Sequence, residues 1–259
     1  MAADASWDKI FEMSGMAEHD FDSAPFVLTA QQIKIACQDF KRTAEKEVRI
    51  LCKQDTREAR PRVFRENGLF ILPKHNGAFY IIKGEGYVDI PEITSPIKEY
   101  HSQLDFDLKS SKVGNSEMQH LDFAYANSLI RTFFADPSLV LTIRGRKYTP
   151  PFSFYVNDFE ITSESVQTEV DAGYEGRNQI VLVEAKNNDA RNTIIRQLYY
   201  PFRQWGIQTG KEIIPVFFEK RVIGCEPIYH IWQFAFTEPD NYNSIQLVRA
   251  DRYRIAVDA

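Results

Sequence analysis

The spacing of apolar and polar positions predicts helices in the first part of the chain. In the segment TAQQIKIACQDF, Thr29 is a residue type that begins helices, and apolar side chains follow it at intervals of three or four residues. Those apolar positions are Ile33, Ala36, Cys37 and Phe40. A second helix is predicted in AEKEVRILCKQ, the next segment with good helix-forming residues.

Two apolar runs rich in β-forming residues come next, Leu69–Leu72 and Phe79–Ile82, on either side of Asn76 and Gly77. Asn-Gly between two such runs is typical of a β-hairpin. Helices followed by a two-stranded ribbon predict a winged-helix-like module for DNA recognition over residues 1–95. An α/β subdomain that only packs against the rest of the chain explains the same pattern.

Residues 96–259 have the pattern of a second domain built around a mixed sheet. A helix is predicted in SEMQHLDFAYANSLIRTFF, where Ser116 can cap its start and Asp136-Pro137 ends it. Short apolar runs then predict strands at Leu139–Ile143, Phe152–Val156, Val166–Asp171 and Ile180–Ala185. A helix in ARNTIIRQLYYPFRQWG and strands in EIIPVFFEK, IYHIWQFAF and SIQLVRADRYRI complete an α/β or α+β fold.

The overall composition, 44% hydrophobic and 26% charged, is that of an ordinary globular protein. The apolar runs are too short to span a membrane, and the first residues lack the basic head and apolar stretch of a secretion signal. Cys37, Cys52 and Cys225 are odd in number and lack metal-ligand spacing, which favours free thiols. We therefore expect a cytoplasmic protein without a membrane partner.

The net charge of −5 weighs against a protein that only coats nucleic acid, but basic residues cluster locally. The clusters lie in TREARPRVFRENG, IRGRKY and ARNTIIRQLYYPFRQW. Arginines suit contacts with phosphate and with guanine. The candidates for DNA contacts are Arg60, Arg62, Arg65, Arg144, Arg146 and Arg196. A solvated charged surface explains most of these clusters equally well.

Carboxylates end two neighbouring strands where a core hairpin would prefer apolar residues. The strand QIVLVEAK ends in Glu184-Ala185-Lys186, and side-chain alternation places Glu184 and Lys186 on one face and Ala185 on the other. Asp171 ends the preceding strand, so a hairpin would bring it close to Glu184. A buried carboxylate is costly unless it is paired or binds a cation. Two carboxylates and an ammonium at one sheet edge indicate a divalent metal site, although a solvated Glu-Lys pair is the simpler alternative.

Other common chemistries find no support in the sequence. The five histidines are scattered without a zinc-ligand spacing, and there is no phosphate-binding G-x-x-x-x-G-K-[ST] loop or G-x-S-x-G nucleophile turn. A nucleotide cofactor is therefore not expected. His120 shares the predicted helix with Glu117, where it is either close to the site or a structural histidine.

Asp171 and Glu184-Ala185-Lys186, on two strands followed by a helix, resemble the motif of the PD-(D/E)XK nuclease superfamily. Gln197 in RQLYYPFRQW and Glu117 in GNSEMQHLDFAYANSLI match residues that these nucleases often carry on the helices beside the motif. The likeness extends from about residue 114 to 218 and is to the type II restriction-endonuclease-like group. One departure is Val170, which stands where the superfamily's nominal motif has proline.

The resemblance implies a central mixed sheet flanked by helices and Mg²⁺-dependent hydrolysis of double-stranded DNA, as in a type II restriction enzyme of a restriction-modification system. By that resemblance, Asp171 and Glu184 bind the metal together with the Ala185 carbonyl, and Lys186 positions or activates water. Glu117 completes the metal shell or holds a water.

Several alternatives remain open at this stage. Gln197 either orients the site or is an ordinary exposed glutamine, and Glu169 either replaces or assists Asp171. A DNA repair or recombination nuclease of the same fold is the nearest functional alternative, followed by a catalytically inactive DNA-binding regulator. A homodimer is compatible with the resemblance.

Overall fold

The computed structural model describes residues 2–187 and 189–256. The N-terminal part of the chain combines short helices with a three-stranded antiparallel sheet in the order β1-β3-β2. Its elements are α1 (Ala2–Ser14), β1 (Phe26–Thr29), α2 (Ala30–Ala36), α3 (Thr43–Lys46), α4 (Val48–Leu51), α5 (Arg62–Glu66), β2 (Leu69–His75) and β3 (Ala78–Lys83).

Local sequence signals explain most of these elements. The Thr29 hydroxyl accepts a hydrogen bond from the Gln32 backbone N–H, and the Gln32 side chain accepts one from the Thr29 N–H, which forms a capping box. The predicted Asn76-Gly77 turn joins β2 to β3, with Gly77 at φ 87°. The single helix predicted in AEKEVRILCKQ was wrong: Glu47 is extended (φ −76°, ψ 115°), and it separates α3 from α4.

The second part of the chain contains the larger sheet and its helices. The elements are β4 (Tyr87–Asp89), β5 (Lys98–His101), α6 (Glu117–Ala126), α7 (Leu129–Phe134), β6 (Val140–Tyr148), β7 (Phe152–Val156), β8 (Phe159–Ser163), β9 (Gln167–Glu175), β10 (Gln179–Lys186), β11 (Asn192–Ile194), α8 (Arg196–Thr209), β12 (Glu212–Ile223), β13 (Glu226–Phe236) and β14 (Ile245–Ala256). The strands predicted in this part all appear, with shifted ends. The helix predicted in ARNTIIRQLYYPFRQWG begins only at Arg196, because Asn192–Ile194 form β11 instead.

The described strands of this part form a seven-stranded mixed sheet in the order β5-β14-β13-β12-β10-β9-β6. β10 runs parallel to β12 and β5 runs parallel to β14, while the other neighbours are antiparallel. Two small two-stranded sheets, β4 with β11 and β7 with β8, lie outside it. The expectation of a mixed α/β fold with a large mixed sheet flanked by helices is confirmed.

Helices cover both faces of this sheet because its strands are apolar on both sides. On one face, α6 and α7 pack against Val181, Val183 and Val216. On the other face, α8 packs against Leu182 and Phe217. The helix predicted before β6 is two helices, because Ser128 adopts left-handed backbone angles (φ 61°) between α6 and α7.

The N-terminal sheet is buried on both faces and joins the two parts of the chain. Leu69, Ile71 and Ile81 pack under the N-terminal helices. The alternating residues Phe70 and Leu72 belong to the same core as β7 and α8. The Pro73 carbonyl accepts hydrogen bonds from the Tyr200 hydroxyl and the Ser163 hydroxyl, both at 3.0 Å. The β2–β3 hairpin is therefore fixed to the second part of the chain.

No helix within the described residues combines the length and the apolar character needed to cross a bilayer.

Candidate metal-dependent active site

The β9–β10 hairpin sets the register of the predicted site. Leu182 pairs with Gly173 and Val183 pairs with Ala172, so Glu184 lies opposite Asp171 one step further along. Opposed residues of an antiparallel pair project from the same face of a sheet. At this point the Ala185 backbone N–H donates to Asp171 Oδ2 at 2.8 Å. The two carboxylates thus meet where the two strands stop pairing through their backbones.

Packing on either side of β10 fixes which face carries the site. Val183 and Ala185 belong to the core under α6 and α7, whereas Ile180 and Leu182 lie on the α8 face. Because side chains alternate along a strand, Glu184 lies on the same face as Ile180 and Leu182. Glu184 and Lys186 therefore share the α8 face, and Ala185 points away from them, as the sequence predicted.

A bulge in β9 changes the simple alternation around Asp171. Gly173 pairs with Ile143 of β6, but Val170 pairs with Gly145, so β9 has one extra residue between the two pairs. The alternation that would place Glu169 on the face of Asp171 is interrupted there. The Glu169 side chain is 58% exposed and accepts a hydrogen bond from Arg146 at 3.2 Å. A direct role of Glu169 stays a prediction.

Glu184 and Lys186 form a close ion pair in a largely buried setting. Lys186 Nζ lies 2.5 Å from Glu184 Oε1, and Glu184 is 8% exposed. Burial raises the pKa of Glu184 to about 7, although the Lys186 charge works in the opposite direction. Burial alone would lower the pKa of Lys186, but the charge and hydrogen bond of Glu184 raise it overall.

Asp171 also has a raised pKa, mainly because it is buried, even though the hydrogen bond from Ala185 favours its charged form. Among the described residues, each carboxylate has one oxygen, Asp171 Oδ1 and Glu184 Oε2, that accepts no hydrogen bond from the chain. Two carboxylates of raised pKa with an open oxygen each are a pair that a bound cation would stabilise.

The two carboxylates are a donor set that Mg²⁺ accepts. No group of three or more His, Cys, Asp or Glu side chains suited to a metal is found in residues 2–187 and 189–256. Mg²⁺ takes one or two carboxylates and keeps waters or phosphate oxygens as its other ligands. Asp171 and Glu184 supply that number of carboxylates.

Glu117 approaches the site from the other face of the sheet. It is the first residue of α6, whose start is fixed by a capping box between Ser116 and Gln119. The Glu117 charge contributes to the raised pKa of Lys186. The Asn187 side chain donates to the Asn115 carbonyl at 2.8 Å and fastens the end of β10 to the start of α6.

His120 has a structural setting. It is 5% exposed, its Nε2 lies 2.9 Å from Asn115 Oδ1, and burial lowers its pKa to about 4. A histidine of that pKa is neutral at pH 7, which favours the structural reading of this residue.

Gln197 lines a small pocket together with Glu169, Glu184 and Leu198. Its side-chain oxygen accepts a hydrogen bond from the Thr193 hydroxyl at 2.7 Å. This contact fixes the amide in the first turn of α8. The structure therefore brings Asp171, Glu184, Lys186, Glu117 and Gln197 to one region, although their roles stay predictions.

Residues 82–254, well over half of the chain, match the family model described as Domain of unknown function (DUF6997). The chain belongs to the DUF6997 family. Residues 4–82 match a second model, Domain of unknown function (DUF6996). No curated protein and no solved structure matches the chain.

The DUF6996 region supplies a carboxylate that sequence reasoning missed. The charge of Asp55 contributes to the raised pKa of Glu184, and Asp55 Oδ1 lies 3.6 Å from Arg196 Nη2 at the start of α8. The Asp55 carbonyl accepts the Ile194 N–H at 2.9 Å. No local pattern could have found this residue, because it is 129 positions from Glu184 in the sequence and only the fold brings it close.

The DUF6997 region holds a second missed carboxylate, Glu219, which pairs in register with Lys186 on the neighbouring parallel strand. It is fully buried, and its two oxygens accept hydrogen bonds from the Ala190 N–H at 2.9 Å and from Arg221 Nε at 2.7 Å. Glu219 thus holds the loop that follows the site. A signal for it existed: EIIPVFFEK is an apolar strand that ends in a carboxylate and a lysine, like QIVLVEAK.

Most of the predicted DNA-binding arginines already have partners. Arg60 donates to the carbonyls of Arg57 and Leu69. The others form ion pairs: Arg62 with Asp8 and Glu66, Arg144 with Asp122, Arg146 with Glu169, and Arg196 with Asp55. Arg65 is exposed on α5. Their contacts with DNA remain predictions.

Proposed function

We propose that this chain is a Mg²⁺-dependent endonuclease that hydrolyses phosphodiester bonds of double-stranded DNA, in the manner of a type II restriction enzyme. The observation that carries the proposal is the arrangement at the ends of β9 and β10. Asp171 and Glu184 lie opposite each other, and each has one oxygen without a hydrogen bond from residues 2–187 and 189–256. Lys186 lies 2.5 Å from Glu184.

Asp171 Oδ1, Glu184 Oε2 and the Ala185 carbonyl are the groups that would hold the metal. When bound, Mg²⁺ polarises the phosphodiester and makes a coordinated water more acidic. Burial of Glu184 and Asp171 disfavours their charged forms in the free protein. A cation bound between them would stabilise those charged forms. Glu117 and Gln197 flank this edge and are suited to orient water or the DNA backbone.

Lys186 is suited to donate rather than to accept a proton. Glu184 raises its pKa, so the side chain is an ammonium at neutral pH. From its position beside Glu184 it can orient the attacking water and stabilise negative charge that develops on the phosphate oxygens in the transition state. It would act mainly on the reaction rate and little on DNA affinity.

The N-terminal part supports a role in DNA recognition. Its element order, helix, strand, helices and a two-stranded hairpin with the sheet order β1-β3-β2, is that of a winged-helix module. The hairpin packs against β7, β8 and α8 instead of standing free. The proposed recognition module and the proposed catalytic edge are therefore held in one fixed arrangement.

The direct test is digestion of unmethylated bacteriophage DNA, which is long enough to contain most short recognition sequences. We expect discrete fragments with Mg²⁺ and intact DNA with EDTA. Asp171→Asn should abolish cleavage because it removes a metal-binding charge. Glu175→Gln, at the end of β9 that pairs with Lys211, is the matched control and should retain it. Intact DNA in every digest of the wild type with Mg²⁺ or Mn²⁺ would refute the proposal.

The pattern of products separates the two nuclease readings. A restriction enzyme produces the same discrete bands at every enzyme concentration that gives complete digestion. A repair or recombination nuclease of the same fold would leave intact duplex uncut and cleave branched or mismatched DNA. A neighbouring gene for a DNA methyltransferase would add independent support for restriction.

A further inference from the structure

Positive charge is concentrated in one stretch of the N-terminal part. Residues 34–65 contain ten Lys and Arg but five Asp and Glu, a net charge of +5 in a chain whose total is −5. Such a local excess in an acidic protein produces a positive surface potential that attracts anionic partners. The stretch includes the end of α2, all of α3 and α4, and most of α5.

Within this stretch, one group of cations has no carboxylate partner among the residues that the structure describes. These residues, the basic helical surface, are Lys34, Lys41, Arg42, Lys46 and Arg49. All five are exposed, and none forms an ion pair with a carboxylate of the described chain. Arg57 and Arg62, by contrast, each pair with two acidic side chains. Unpaired exposed cations can bind phosphates without first breaking an internal pair.

The basic helical surface is held on a packed support. Ile33 of α2 and Leu51 of α4 are buried in the same core, and the Ser6 hydroxyl of α1 donates to the Glu45 carbonyl of α3 at 2.6 Å. These helices cover the Leu69 and Ile71 face of the small sheet. The opposite face packs on the DUF6997 region, so the outer side of the helices is left accessible.

The surface also ends close to the proposed active site. Arg49 is only six positions from Asp55 in the sequence, and the charge of Asp55 acts on Glu184. Six residues span at most about 20 Å when extended. Because a duplex carries a phosphate on each strand about every 3.4 Å along its axis, roughly six base pairs of one DNA molecule would bridge that distance.

We infer that the basic helical surface is an anchoring site for the phosphate backbone of duplex DNA, separate from the catalytic edge and independent of base sequence. This inference rests on the proposed function, since it assigns to the same DNA a second contact. A duplex is the partner that fits best, because it presents a regular row of charges to several cations on a rigid support. Anionic membranes and single-stranded RNA share the charge but lack that regular, stiff spacing.

The test compares two variants that lose the same charge. Lys41→Gln, Arg42→Gln, Lys46→Gln and Arg49→Gln are combined in one protein, and Lys98→Gln, Arg177→Gln, Lys211→Gln and Arg254→Gln are combined in a control. Fluorescence anisotropy measures binding of a 40-base-pair duplex in Ca²⁺, across a salt series. Each lost phosphate contact should reduce the slope of log K against log salt by about 0.9. We expect at least a tenfold weaker Kd at about 100 mM salt, with the control within about twofold of wild type.

Single variants protect the test against a folding defect. Arg49→Gln and Lys41→Gln should each reduce the slope by about one and keep the thermal unfolding curve of the wild type. A slope and Kd equal to those of the wild type in the quadruple variant would overturn the assignment. Tighter wild-type binding to single-stranded RNA or to anionic vesicles than to the duplex would also overturn it.

Cleavage separates this inference from the proposed function. At low salt and saturating protein, the quadruple variant should cut at the same positions and with the same single-turnover rate as the wild type, because Asp171, Glu184 and Lys186 are unchanged. A wild type that binds duplex through this surface but never cleaves would leave the anchoring site standing and refute the nuclease. A wild type that cleaves, with a quadruple variant that binds normally, would refute only the surface.

Discussion

Glu184 is the residue whose setting departs most from what stability alone would select. A carboxylate with a pKa of about 7 is partly protonated at neutral pH, and its buried pair with Lys186 is weak evidence for a stabilising role. Residues with such perturbed titration are concentrated at functional sites. The raised pKa of Glu184 should therefore make the stability of the metal-free protein depend on pH.

We predict that the unfolding free energy of Glu184→Gln, measured relative to that of the wild type without metal, is higher at pH 8 than at pH 4.5. The folded-state pKa of Glu184 lies above its ordinary value of 4.5, so the stability it contributes is present below 4.5 and is lost as pH rises towards about 7. Glutamine does not titrate, and the difference in unfolding free energy between variant and wild type should grow by on the order of 2 to 3 kcal/mol. Urea unfolding at the two pH values measures it.

The matched control for that prediction is Glu175→Gln, since Glu175 pairs with Lys211 at the other end of the sheet and is more exposed. Its effect should change little between the two pH values. Equal pH dependence in the two variants would show that Glu184 is not an unusual carboxylate.

Lys186→Ala should leave metal-dependent DNA binding intact and reduce cleavage by orders of magnitude, because the lost contact matters mainly in the transition state. Lys186→Arg should not restore the rate, since the larger guanidinium does not fit beside the buried Glu184 with the same geometry. Single-turnover cleavage measures the rate, and anisotropy in Ca²⁺ measures binding.

Lys211→Ala is the control for Lys186, because Lys211 also lies 2.5 Å from a glutamate, at the opposite end of the same sheet. It should cleave like the wild type. If Lys186→Ala also cleaves at that rate, Lys186 is only the ion-pair partner of Glu184.

At the residue scale, the sequence reveals side chains that lie on consecutive elements. Asp171, Glu184 and Lys186 could be predicted from the sequence, because a strand pattern that ends in charged residues is a local signal. Asp55 was not, because it reaches the site through the packing of the N-terminal part against β11 and α8. The β9 bulge was hidden as well, since it arises from pairing with β6 and leaves no signature in β9 itself.

At the element scale, the strands with long apolar runs were predicted, but β1, β4, β5, β8 and β11 were not. Two predicted helices are broken. The apolar stripe of SEMQHLDFAYANSLIRTFF continues through the break, so periodicity alone gives no warning. The cause is tertiary: Asn127 is buried, and it accepts a hydrogen bond from the Ser102 hydroxyl at 2.6 Å. Ser128 then takes left-handed angles before α7 begins. Helix ends set by distant partners are the part of the fold that a local pattern cannot supply.

The end of α7 offers a clean test of backbone strain. Ala135 is exposed and has φ 51° and ψ 33°, a conformation that glycine adopts more easily than alanine. Ala135→Gly should therefore stabilise the protein by about 0.5 to 1 kcal/mol. Thermal unfolding monitored by circular dichroism measures the change.

Ala126→Gly is the control, and it should change the unfolding free energy in the opposite direction. Ala126 is exposed and is the last residue of α6, so glycine there should destabilise by up to about 1 kcal/mol. If both substitutions destabilise equally, the left-handed conformation of Ala135 carries no strain that glycine relieves.

At the scale of the whole molecule, the two parts of the chain share one core, so we predict one cooperative unfolding transition. Phe70 and Leu72 of the N-terminal sheet pack with Phe154 and Trp232 of the second part. Tryptophan fluorescence and far-ultraviolet circular dichroism should give coincident urea curves. Two separated transitions would contradict the prediction.

Tyr200→Phe should shift that single transition without dividing it. It removes the hydroxyl that donates to the Pro73 carbonyl, at a cost of about 1 kcal/mol. Both probes should move together to lower urea. Tyr155→Phe, at a tyrosine that is 47% exposed, is the control and should leave the curve in place. A shift in one probe alone would show that the parts unfold independently.

The small sheet with two buried faces also limits how this protein can be recombined with its relatives. The two family models meet at residue 82, the penultimate residue of β3, which looks like a natural point at which to exchange modules. A chimera joined there would carry foreign residues at positions 70, 72 and 82 onto Phe154 and Trp232, and the core would not fit. Exchange of the N-terminal module should succeed only when the core residues that receive it, Phe154 of β7 and Trp232 of β13, are exchanged with it.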